Sequence, residues 1–187
     1  MEITKLSTYL KEGDLDKKVK EQEYWRSVWD MYVEETESIY SHLTTKEAMV
    51  RMISEVNFRN RSQSPSCEDL GVWIRVGDIC YIDFGINYIN EAGFQHFGII
   101  LAIVNNKVLV TPMTSNERAY QLSQERELKP HLMPIGKIDG MYRDSTLFLN
   151  DSKFINSARI IDVKAHLPIQ SSLFKEIKKR FHELVGK

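Results

Sequence analysis

The sequence has only two cysteines, Cys67 and Cys80, and neither stands in a CxxC or CxxH spacing. This excludes a disulfide scaffold, argues against a zinc site, and fits a reducing cytoplasm. No apolar run approaches the ~18 residues that span a bilayer, so no membrane association is expected. The opening MEITKLSTYLKEGD lacks an apolar core and a small-residue cleavage site, and no secretory leader is read in it. There is no Walker loop, no GxGxxG behind a strand, no GxSxG and no HExxH. His42, His131, His166 and His182 form no metal-ligand spacing. The expectation is therefore a protein without metal or cofactor. Neither sign of charge dominates: the net charge is −1, which alone does not suggest nucleic acid.

What is present divides the chain. Its 187 residues suit one domain, or one domain with an extension. Residues 1–70 carry 10 Lys+Arg and 14 Asp+Glu, a net of −4, and residues 71–187 carry 15 and 12, a net of +3. Over 14–43, Leu15, Val19, Trp25, Val28, Trp29, Tyr32, Thr36, Ile39 and Leu43 recur at three- and four-residue steps, which predicts a helix. A second helix begins at TTKEAMVRM, where Thr44 and Glu47 have the spacing of a capping box. Its apolar side is Ala48, Met49, Met52, Ile53 and Val56. RNRSQSPSCEDLG, 59–71, has no periodicity and reads as a linker with a boundary near residue 70.

Beyond it the period turns to that of strands. VWIRVGDICYIDFG (72–85), FGIILAIV (97–104) and KVLVTPM (107–113) are rich in β-branched and aromatic residues, and Asn105-Asn106 reads as a two-residue hairpin turn. KPHLMPIG (129–136), STLFLN (145–150) and SARIIDV (157–163) add shorter strands. A helix from about Ile169 to Val185 closes the chain, with Leu173, Ile177, Phe181 and Leu184/Val185 inward. The predicted fold is α+β: a small, strongly curved SH3-like antiparallel β-barrel with a C-terminal helix, preceded by an α-helical hairpin over 1–70.

The residues able to do chemistry lie at strand ends. His96 follows the loop 86–95, and Thr114 and Ser115 leave the next hairpin. An imidazole, two hydroxyls and loop N–H groups on one rim would suit phosphodiester chemistry, which needs proton transfer and donors to a charged phosphorane. The same residues also read as an edge histidine and β-branched strand positions. Phe94, placed at a loop tip, could stack on an unpaired base or pack across a dimer interface.

The order of these pieces, GDICYIDFG, EAGFQHFGIILAIV, VTPMTSN and RDSTLFLNDSKFINSARI, resembles the MazF/PemK toxin family over residues 73–186. Those are small barrel endoribonucleases of toxin–antitoxin systems, similar in fold to the gyrase poison CcdB. The resemblance implies metal-independent cleavage of single-stranded RNA by 2′-OH attack, a homodimer, a protein antitoxin as partner and a cytoplasmic setting. It implies catalytic roles for His96, Thr114 and Ser115. RNA contacts would come from Glu91, Gly93, Phe94, Gln95, Asn116, His131, Arg143 and Lys153. The chain departs from the family where an Arg-Pro usually follows the Glu-x-Gly loop: His96-Phe97 stands there. Arginine is a fixed cationic fork, whereas histidine exchanges a proton near neutral pH. A second cation would then have to serve the phosphorane, from Lys153 or Arg143. The rival reading is a catalytically degenerate module that binds RNA, gyrase or a protein, or a regulator of phage defence in which the helices act. Glu91 and Gly93 read equally as loop formers, with the glycine supplying positive φ.

Overall fold

A computed structural model describes residues 6–8, 11 and 15–186. It forms two compact units, Met1–Met49 and Val50–Lys187, so the composition break near residue 70 falls inside the second unit. In the first unit, α1 spans Trp25–Ser41. Residue 14 lies outside the described residues, and the predicted helix starts only at Trp25. Between 15 and 24 a single 3-10 turn forms, Val19–Glu21; Leu15 and Val19, the aliphatic residues of this stretch, are both exposed and give too little apolar surface to extend it into a helix. Trp25, Trp29 and Tyr32 stack in sequence along α1, with ring centroids 6.0 and 5.8 Å apart.

Helix α2, Thr45–Arg61, begins where the capping box places it. The Glu47 carboxylate accepts from the Thr44 N–H (2.8 Å) and hydroxyl (2.6 Å), and Thr44 Oγ1 accepts from Glu47 N–H (3.3 Å). The part of α2 in the second unit packs in an unexpected way. Its apolar residues Met52, Ile53 and Val56 stay exposed, while the polar stripe Ser54, Asn57 and Arg61 is turned inward. Segment 59–71 is likewise not a free linker. Cys67 is buried, its N–H bonds Ser157 Oγ, and its carbonyl accepts from Leu70 and Val72.

The remaining chain builds one seven-stranded antiparallel sheet. Its strands are β1 (Asp78–Asp83), β2 (Gln95–Val104), β3 (Lys107–Thr114), β4 (Leu132–Gly136), β5 (Ser145–Phe148), β6 (Lys153–Asn156) and β7 (Ile160–His166). The order is β4-β5-β3-β2-β1-β7, and one edge of β3 is shared, Met113–Thr114 with β5 and Lys107–Val110 with β6. Breaks of register in β1–β7, β2–β3 and β4–β5 bend the sheet. The hairpin at Asn105-Asn106 forms as read, with Asn105 left-handed at φ 54°. Two elements escape a sequence reading. β6 is four residues long, and α3 (Glu117–Ser123) is a short helix capped by Asn116. The strand expected over 72–85 shortens to Asp78–Asp83, because Gly77 at φ 93° turns the chain.

The sheet has an apolar cluster on each face. One contains Ile79, Ile99, Met113, Leu147 and, from the terminal helix α4 (Ser172–Val185), Phe174 and Ile177. Of Leu184/Val185, expected inward, Leu184 packs against this cluster and Val185 is exposed, while the buried Arg180 donates to the carbonyl of Leu132 at 2.8 Å. The other cluster contains Cys67, Cys80, Ile82, Phe84, Ile100, Val108, Val110 and Ile160. Burial raises both thiols above their ordinary pKa, which keeps them protonated and unreactive in the fold.

Candidate functional site

Antiparallel register brings the sequence candidates to one end of the sheet. Ile82 pairs with His96 across β1 and β2, and Thr114 pairs with Thr146 across β3 and β5. The β2–β3 ladder runs Ile99↔Thr111, Gly98↔Pro112, Phe97↔Met113. The next positions along the two strands are His96 and Thr114. Side chains alternate, so His96 shares a face of β2 with Gly98 and Ile100. Thr114 shares the matching face of β3 with Pro112 and Val110. An imidazole and a hydroxyl separated by a whole hairpin thus occupy neighbouring strands on a common face, one step past the last paired rung.

The imidazole is oriented by its own loop. His96 is exposed, and its Nδ1 lies 2.6 Å from the Gly93 carbonyl oxygen. A carbonyl only accepts, so Nδ1 carries the hydrogen and the neutral ring has its lone pair at Nε2. The loop that supplies this carbonyl is tightly held. Phe84 N–H donates to Phe94 O (2.7 Å) and Phe94 N–H to Gly85 O (2.6 Å). Asn87 donates to the carbonyls of Tyr88 and Glu91. Glu91 is exposed, and among the described residues its carboxylate receives only a long 3.4 Å contact from Tyr88 N–H. Gly93 does not supply positive φ, as the sequence suggested; Asn90, Phe94 and Gly85 do. Its role is space, because a Cβ there would fall 1.8 Å from Asn87 Oδ1.

The Thr114 hydroxyl oxygen accepts from Asn116 N–H at 3.2 Å, which leaves its own hydrogen to donate outward. Lys153 comes to the same region from β6. Its ammonium lies 3.5 Å from the Asp151 carboxylate, 3.5 Å from Ala92 O and 5.6 Å from the Phe84 ring centroid. Asp151 also accepts from Ala92 N–H, so one residue pair grips the Ala92-Gly93 backbone that orients His96. Phe84 closes the floor: a Cβ on Gly98 would meet its ring at 3.4 Å. Arg159, which no local sequence signal marks, donates to Asp83 O at 3.2 Å, with its guanidinium against Gly85. This neighbourhood depends on the β7 register.

Other sequence candidates have different placements. Gln95 points to the opposite face of β2 from His96. Its amide donates to Ser54 Oγ (2.7 Å) and Asp83 (3.2 Å). Asn116 caps α3 by accepting from Ala119 N–H at 3.1 Å. Phe94 is half-buried at the base of its loop, and the exposed residues of the tip are Tyr88 and Ile89. Ser115 is exposed just beyond Thr114. Arg143 is exposed before β5, at the same end of the sheet as Ser115. His131 precedes β4, three strand steps from β2 and so roughly 14 Å along the sheet. Its carbonyl accepts from Leu149 N–H. Among the described residues no group of His, Cys, Asp and Glu is arranged to hold a metal ion, and no helix is long and apolar enough to cross a membrane.

No family model and no curated protein matches the chain. Solved structures similar to it include MazF from Deinococcus radiodurans, at 15% identity and a TM-score of 0.46. That likeness covers 61% of this chain and 97% of the other. A mycobacterial endoribonuclease in complex with its cognate antitoxin is similar at 11% identity and 0.45, over 61% and 96%. The MazE–MazF complex of D. radiodurans is similar at 16% and 0.43, over 61% and 97%. At these values the likeness says nothing of activity.

Proposed function

We propose that the chain is a metal-independent endoribonuclease acting on single-stranded RNA at the His96–Thr114 end of the sheet. The observation that carries this reading is the pairing of a tautomer-fixed imidazole with a donor hydroxyl on one face of neighbouring strands. His96 Nε2 takes the proton of a ribose 2′-OH. The 2′-oxygen forms a bond to phosphorus, the bond from phosphorus to the 5′-oxygen breaks, and water protonates that oxygen. The products are a 2′,3′-cyclic phosphate and a 5′-OH end. Thr114 Oγ1 donates to a non-bridging oxygen of the phosphorane, and the Lys153 ammonium supplies the fixed positive charge that His96 lacks. Ser115 and Arg143, at the same end, extend the contact to the RNA backbone. The family resemblance extends this reading to a homodimer and to a protein antitoxin as partner.

Digestion of a long single-stranded RNA in EDTA tests it. Discrete fragments with 5′-OH ends, lost in His96→Ala at unchanged melting temperature, are the expected result. RNA that is bound but intact in the wild-type protein would instead favour a binding module that has lost catalysis with the Arg-Pro.

A further inference from the structure

The far end of β1 carries a second assembly of polar groups that the cleavage reading does not use. Asp78 is buried, yet its carboxylate is fully engaged. It accepts from Arg75 N–H at 2.8 Å and from His166 Nδ1 at 2.8 Å, with Arg75 Nε at 3.5 Å. Gly77 makes this seat possible. A Cβ there would lie 2.3 Å from Leu167 O and 3.3 Å from His166 Cε1. These groups line an open cleft of about 540 Å³ together with Trp73, Val163 and Lys164, a volume within the range of small-molecule sites.

Each wall offers a different contact. Trp73 is 73% exposed and offers a large planar apolar surface. The Arg75 side chain is 71% exposed and meets Asp78 through Nε, and among the described residues its two terminal nitrogens have no partner. The Lys164 ammonium, paired with Asp162, adds a cation at the rim. His166 donates through Nδ1 to a carboxylate, so the neutral ring presents Nε2 as an acceptor, and that nitrogen has no partner among the described residues. A stacking plane, an exposed guanidinium fork and the acceptor nitrogen of a neutral imidazole suit a planar base bearing an exocyclic amine, joined to a phosphate. We infer that the Trp73–Arg75–His166 cleft binds a nucleotide, with the base stacked on Trp73, its amine donating to His166 Nε2 and its phosphate on Arg75. The site lies roughly 13 Å along β1 from the rung that holds His96, and it does not rest on cleavage there.

The ligand has two sources, a free nucleotide or one unit of an RNA strand, and a fluorescence titration separates them. In full-length W25F/W29F protein, Trp73 is the only tryptophan. Adenosine 5′-monophosphate and a single-stranded RNA hexamer that contains adenine are added in turn. The expected result is saturable quenching, weakened at least tenfold by Arg75→Ala and several-fold when uridine 5′-monophosphate replaces the adenine nucleotide. For the monophosphate, which has no bond for the His96 end to cut, the quenching is the same in His96→Ala protein. Tighter binding of the hexamer identifies an RNA contact, and tighter binding of the monophosphate identifies a free nucleotide. Quenching that stays linear with concentration, is equal for adenosine lacking phosphate, or is indifferent to Arg75→Ala overturns the site, whether or not RNA is cleaved.

Discussion

His96 and His166 sit at opposite ends of the same sheet, and both donate a hydrogen bond through Nδ1, but to different acceptors. His96 donates to the neutral backbone carbonyl of the buried Gly93; His166 donates to a buried carboxylate. Both arrangements fix the tautomer and direct Nε2 outward. Their consequences for the fold differ. A buried carboxylate must keep its donors, so the His166 end joins ligand geometry to stability. A neutral carbonyl loses less than a carboxylate when its donor goes, so the His96 end can change its chemistry at smaller cost to the core. The His96 end has a buried carboxylate of its own, Asp83, but this holds a helix rather than an imidazole. It accepts from Ser54, Asn57, Gly85 N–H and Gln95 at 2.6, 2.7, 2.9 and 3.2 Å.

The largest effect expected is on rate. His96→Ala should lower RNA cleavage by roughly 10²–10⁴-fold with no change in thermal midpoint, whereas His166→Ala should leave cleavage within a few-fold. Equal losses in the two variants would erase the distinction between the ends. Next is Asp83→Ala, which strips four donors of a common buried acceptor and should destabilise the fold by about 3 kcal/mol. Chemical denaturation measures it, and faster amide exchange in residues 54–61 would locate it. Asp78→Ala should cost about 2 kcal/mol, less than Asp83→Ala because the Arg75 side chain it frees is already solvated. A melting curve that matched the wild type would mean that Asp78 is not structural.

Smaller again is Gly93→Ala, at about 1–2 kcal/mol. The new methyl displaces the Asn87 side chain and with it the carbonyl that orients His96. Activity should fall more than stability, and Asn87→Gly in the same chain should restore both in part. The smallest effect concerns an exposed carboxylate. Hydrogen bonds from the Thr44 side chain and backbone lower the Glu47 pKa. Their contribution to α2 is present above the ordinary glutamate value and is lost as pH falls through the lowered one. Amide exchange at the start of α2 should therefore quicken on acidification, and Thr44→Ala, which keeps only the backbone donor, should weaken that dependence.

Local pattern made much of this legible. The capping box at Thr44–Glu47, the hairpin at Asn105-Asn106 and the terminal amphipathic helix each follow from residues a few positions apart. The same reading misjudged α2, whose apolar stripe looks like its packing face. Periodicity reports which face is apolar but cannot see a carboxylate waiting at Asp83. It also missed β6 and the nearness of Arg159 to the candidate site, since both depend on pairings far away in the chain. Phe94 reads as a loop tip because a loop's base and tip look alike in sequence.

By itself the sequence determined the α+β class, the strand that begins next to His96 and the hairpin that turns back to Thr114, because side-chain alternation and turn chemistry act over short range. Only the tertiary structure decided that His96 and Thr114 share a face, that Lys153 reaches their loop, and that His166 meets Asp78. Those contacts are set by cross-strand register and bulges, and a shift of one residue in either would turn each side chain to the other side of the sheet.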